Sequence, residues 1–167
     1  MPMPNRALLT RPYVIWLLLA SLTATTQAQE ESVVRAGDVE MHCSAWRTSE
    51  LTPDAAREFN VVPSPDRGVL TITLVRHLGP GRTRAEAGQV NAGALATPAP
   101  AGAGPGSLRS SVTHLLSIPV REVRRDNGLY YLGEYRIAPS ENLRFLVNAT
   151  VGDKVLTADF QSRFTQE

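Results

Sequence analysis

The chain has 167 residues and one cysteine, Cys43, with 17 Lys and Arg set against 16 Asp and Glu. A lone cysteine excludes an intramolecular disulfide, so stability must come from a hydrophobic core. The near-neutral balance gives no electrostatic drive toward nucleic acid or an anionic membrane, and no nucleic-acid partner is expected.

Arg6 and Arg11 supply a positive start, and Tyr13 to Leu22 form an apolar run. That run is about 10 residues long, well short of the roughly 20 that a spanning helix needs. Thr26-Gln27-Ala28 then places small residues two apart, the pattern a signal peptidase reads. Residues 1–28 are therefore expected to be a cleaved signal peptide, with an uncleaved amphiphilic anchor as the alternative. The expected location is the bacterial periplasm. Cys43 lies well beyond the apolar run, so it is not a lipid-attachment cysteine. Residues 29–167 then form one domain, large enough for a real core. Losing Arg6 and Arg11 leaves 15 basic against 16 acidic residues. No second apolar run follows, so no stable membrane insertion is expected after cleavage.

Along that domain the dominant period is two, which reads as half-buried strands at Val39–Trp46, Val69–Arg76, Val112–Ile118, Val120–Arg125, Leu129–Ile137, Leu143–Val151 and Val155–Phe164. Thr52 as cap, Pro53 at the first helical position and Asp54 at the positive end predict one short helix, packed by Leu51 and Phe59. Between about 79 and 107 alanine, glycine and proline dominate, which predicts a disordered loop inserted in the domain. Asp126-Asn127-Gly128 predicts a tight hairpin, and Gly152-Asp153 a type II′ turn. Pro119 belongs at a strand start or an edge. These elements predict an all-β, immunoglobulin-like antiparallel β-sandwich of about seven strands with one short helix. A small antiparallel β-barrel is the alternative.

Chemistry is sparse. His42, His77 and His114 are isolated, with no metal-ligand spacing among them. Cys43 shares the apolar face of its strand with Val39 and Met41, the setting of a buried, inert thiol. No nucleophile elbow and no phosphate loop occurs. No catalytic residue, metal site or cofactor is implied. Tyr130 and Tyr131 put one aromatic on each face of a strand, one for the core and one for a surface or ligand.

Val39-Glu40-Met41-His42-Cys43-Ser44-Ala45-Trp46, Leu51-Thr52-Pro53, Asp66-Arg67-Gly68-Val69-Leu70-Thr71-Ile72, Arg121-Glu122-Val123 and Leu129-Tyr130-Tyr131-Leu132 together carry a resemblance. They resemble a bacterial family of exported proteins, the domain of unknown function numbered 4426. Cys43 stands where the family pattern has tyrosine, and Trp46 where it has phenylalanine. The resemblance implies an exported sandwich and no particular reaction. By position in those motifs and by residue type, His42, Ser44, Trp46, Arg67 and Tyr130 are the candidate binding residues. The function expected is a non-enzymatic periplasmic module that binds a protein or cell-envelope component. The alternative is a small-molecule- or metal-binding domain, a hydrolase among the options, with a pocket near His42 and Trp46.

Overall fold

All seven segments with a two-residue apolar period form strands, and three further strands join them. The computed structural model describes residues 31–98, 114–125, 128–138 and 141–164. The expected signal peptide at 1–28 and the turn residues Asp126 and Asn127 lie outside them. In chain order the elements are β1 (Glu31–Ala36), β2 (Val39–Arg47), a 3₁₀ turn (Thr48–Glu50), α1 (Pro53–Phe59), β3 (Arg67–Gly79), β4 (Arg82–Ala85), β5 (Gln89–Pro98), β6 (His114–Ile118), β7 (Val120–Arg125), β8 (Gly128–Arg136), β9 (Glu141–Val151) and β10 (Lys154–Arg163). Antiparallel pairing gathers them into two sheets, β1-β2-β3-β8-β7 with β4 added beside β3, and β10-β9-β5-β6. The fold is an all-β sandwich with one short helix; among the described residues no barrel closes. The described residues form ten strands where the sequence predicts about seven.

Alternation along each strand sorts side chains between the sandwich interior and its outer faces. From the first sheet Val39, Met41, Cys43, Leu70, Ile72 and Leu74 point inward. Leu143, Phe145, Val147, Ala149, Leu156 and Ala158 meet them from the second. Phe145 is fully buried, with the Tyr135 ring 5.1 Å away edge-on and the Phe160 ring stacked at 5.2 Å.

The loop predicted at 79–107 is corrected over residues 79–98. Residues 82–85 are β4, and β5 pairs with β9 along its whole length, from Gln89↔Thr150 to Pro98↔Glu141. Residues 99–113 lie outside the described residues. Composition misleads here because β5 contributes little apolar area of its own. Its inward residues are small to suit their partners: Ala94 sits directly opposite Phe145, and both are fully buried. Glu31, at the start of the described residues, is held in β1 opposite Ser44.

The turns follow their residues. Gly152 has φ 61° between the paired Val151 and Lys154, and Asp153 is not at positive φ, as a type II′ turn requires. β7 and β8 pair up to Arg125↔Gly128, so only residues 126 and 127 separate them. Pro119 is the single residue between β6 and β7, where the chain passes from the second sheet to the first. On the opposite flank β1 runs beside β10. There Asp38 accepts from Arg76 Nη1 at 2.6 Å and pairs with Lys154 Nζ of the other sheet at 3.1 Å. No helix among the described residues is long and apolar enough to cross a membrane.

Two features give measurable consequences. A Cβ on Gly68 would collide with the buried Tyr135 ring opposite it. Gly68→Val is therefore expected to cost about 1–3 kcal/mol by overpacking, read from denaturant unfolding. Hydrogen bonds from Arg76 and then Lys154 lower the Asp38 carboxyl from 3.8 to about 2. A depressed carboxyl contributes stability in full above its unfolded value and loses it as pH falls through the folded one. Melting temperatures of the native protein should thus fall more steeply between pH 3.8 and 2 than those of Asp38→Asn.

Candidate functional site

One strand register builds both the core and a groove on the opposite side of the first sheet. Cys43↔Ile72 faces inward, so the flanking pairs His42↔Thr73 and Ser44↔Thr71 face outward. Tyr130 of β8 lies opposite Thr73 and continues the row. Over this surface stands α1, too short to be stable alone. Thr52 caps it by accepting from Ala55 N at 3.2 Å, Pro53 takes the first position, and Asn60 ends it at φ 52°. Arg121 and Arg125 of β7 donate to the Phe59 and Glu58 carbonyls, each at 2.5 Å, placing two cations at the helix C-terminus. Val61, Val69, Val123 and Leu132 form a second small core beneath it, flanked by Trp46, Leu51, Phe59 and Tyr130. The helix is thereby fixed as a wall.

Between that wall and the sheet lies a groove of about 510 Å³, lined by His42, Ser44, Trp46, Thr71, Thr73 and Tyr130 of the strands together with Glu31, Glu50, Leu51, Thr52, Ala55, Phe59 and Val75. Its polar row is internally ordered. The Trp46 indole donates to Ser44 Oγ at 3.1 Å, and Ser44 Oγ meets Thr71 Oγ1 at 2.6 Å. Thr71 Oγ1 donates back to the Ser44 carbonyl at 3.2 Å, so Ser44 is the donor to Thr71 and its hydrogen is committed. Ser44 positions the indole. His42 Nε2 lies 2.7 Å from Glu40 Oε1, and its Nδ1 lies 3.2 Å from Glu31 Oε1. Both ring nitrogens face carboxylates, and neither is hydrogen-bonded to Ser44. Among the described residues the groove therefore holds no serine–histidine pair. It offers an aromatic wall from Trp46, Phe59 and Tyr130, a hydroxyl floor, and an acidic end at Glu31.

The sequence matches the model of the family described as a domain of unknown function, DUF4426, over residues 33–167. The chain belongs to the DUF4426 family. Among solved structures it is similar to a crystal structure of a DUF4426 family protein from Pseudomonas aeruginosa PAO1. The TM-score is 0.59 at 22% identity, covering 82% of this chain and 97% of the other. At that identity the likeness is one of fold. No curated protein matches the sequence.

Of the five residues selected within the DUF4426 motifs, four meet in the groove and Arg67 does not. Arg67 opens β3 four residues before Thr71, about 13 Å away at the rise of a strand, and lines a separate cleft. The histidines also divide. His77 Nε2 shares Glu40 with His42 at 3.1 Å, whereas His114 lies in the Arg67 cleft. No cluster of three or more His, Cys, Asp or Glu able to hold a metal occurs among the described residues. Sequence reasoning missed Thr71 and Thr73, whose outward alternation was visible but whose neighbours required the β2–β3 register. It also missed Glu31, which reaches the groove only because β1 pairs with β2.

Cys43 is fully buried, and burial pushes its thiol up to about 12. Since the thiolate is the reactive form, Ellman's reagent at pH 8 should leave the native protein unmodified while titrating the urea-unfolded chain at once. Reaction in native buffer should run no faster than global unfolding.

Proposed function

We propose that this DUF4426 protein is a non-enzymatic, exported binding module whose groove takes a small organic ligand, neutral or cationic, with an apolar or aromatic face. The observation that carries the reading is the convergence of His42, Ser44, Trp46 and Tyr130 on one groove of about 510 Å³. That volume falls within the roughly 300–1,000 Å³ typical of small-ligand sites. It favours a small ligand over the extended contact with a protein or envelope component that composition alone brings to mind.

The lining sets the ligand chemistry. Glu31 and Glu50 are the carboxylates, and among the described residues neither Lys nor Arg lines the groove, so an anionic ligand would meet repulsion. Trp46, Phe59 and Tyr130 offer ring faces and edges to an apolar or cationic group. Thr73 and Glu31 supply hydroxyl and carboxylate partners for a polar end. The committed hydroxyl of Ser44 and the doubly faced imidazole of His42 support binding over hydrolysis. The apolar run and small-residue motif before Gln29 support export.

A chain that begins at Gln29 contains one tryptophan, Trp46, so intrinsic emission reports directly on the groove. Tyramine and other aromatic amines should change it saturably, and benzoate should not. Tyr130→Ala should weaken that binding at least tenfold beyond the loss that its lowered melting temperature accounts for, since the same ring packs against the small core beneath α1. No saturable change across neutral and cationic aromatic probes would overturn the small-ligand reading. Terminal sequencing of the cell-exported protein should begin near Gln29; retention of residues 1–28 would overturn the cleaved-signal reading.

A further inference from the structure

We propose that the second cleft, at the lip of the sandwich between β6 and the end of β8, binds a small anionic amphiphile, a carboxylate or phosphate head on a short apolar chain. The cleft measures about 570 Å³ and lies apart from the groove, with Arg67, Arg136 and His114 among its polar lining and Leu116, Ala96 and Tyr135 among its apolar lining. Its origin is topological. β7 pairs with β8 only as far as Val120↔Gly133, because the chain has just crossed at Pro119 from β6. Among the described residues Glu134, Tyr135 and Arg136 have no strand neighbour on that side, and they line the cleft together with residues of β6.

Arg67 and Arg136 are direct cross-strand partners, so two guanidinium groups leave the sheet side by side. Like charges placed opposite each other destabilise an antiparallel pair, and an anion bridging them removes that cost. The available carboxylates neutralise them incompletely. Glu134 lies 3.9 Å from Arg67 and is shared with Arg121 at 4.0 Å. Asp66 is held low first by the Ser64 hydroxyl and, among charges, by Arg67 and Arg136. Arg136 itself is exposed and makes no hydrogen bond or ion pair among the described residues. Planar guanidinium forks suit carboxylate and phosphate oxygens. Beside them, half-buried Leu116 and the Tyr135 ring lead toward the core, which favours an apolar tail over a bare ion.

Amide shift mapping on the isotopically labelled intact protein tests this. Decanoate and decyl phosphate, both below their micelle concentrations, should bind saturably and move resonances of His114–Ser117 and Glu134–Arg136. Acetate, inorganic phosphate and decyltrimethylammonium should each bind at least tenfold more weakly. Arg136→Gln should weaken decanoate at least tenfold, and Arg136→Lys should weaken it less. Glu134→Gln, which frees Arg67 from its competing carboxylate, should tighten it about threefold. Cosedimentation with phosphatidylglycerol vesicles that is lost in Arg136→Gln would assign the head to a membrane lipid; decanoate binding without cosedimentation would assign it to a free amphiphile. Equal affinity for decanoate and decyltrimethylammonium, an unchanged dissociation constant in Arg136→Gln, or shifts confined to the Trp46 groove would overturn the proposal.

Discussion

The register of β2 against β3 is the constraint on which the core and the groove both rest. Met41↔Leu74 and Cys43↔Ile72 supply the sandwich interior, and the intervening pairs His42↔Thr73 and Ser44↔Thr71 supply the groove floor. A shift of one residue would turn both sets over at once, exposing Met41 and burying His42. Selection for a stable core therefore also fixes the outward hydroxyls. The short helix can specialise the outer face only because the register already presents Val69 and Leu132 as a seat for it.

Most of the strand framework was legible from alternation, since Leu143, Phe145, Val147, Ala149 and Val151 are all buried as their spacing requires. The helix was legible from local chemistry, because Thr52 caps and Pro53 starts it independently of the tertiary fold. β5 was not, because its contribution is complementarity. An alanine is the right residue opposite Phe145, and nothing in a run of small residues reveals the ring that will sit beside it. Composition measures what a segment can bury by itself; β5 is stabilised by what its neighbours bury against it.

The site divides in the same way. Residues of one strand face, His42, Ser44 and Trp46, could be grouped from spacing of two; alternation put Tyr130 and Tyr131 on opposite faces, and only the packing shows Tyr131 buried and Tyr130 in the groove. Arg67 was grouped with them by motif, and distance along β3 separates it. Its actual neighbours, Arg136 and His114, come from strands far away in sequence. Pairings of that kind depend on how β8 and β6 are brought together, and no local pattern encodes them.

The one-residue passage at Pro119 has a mechanical meaning. It ties the two sheets covalently along one flank, while the Arg76–Asp38–Lys154 contacts tie them electrostatically along the other. A sandwich fastened at both seams resists shear of one sheet over the other. Among the described residues β8 beyond Gly133 has a strand partner on one side only, so the lip that carries the paired arginines rests on β3 alone.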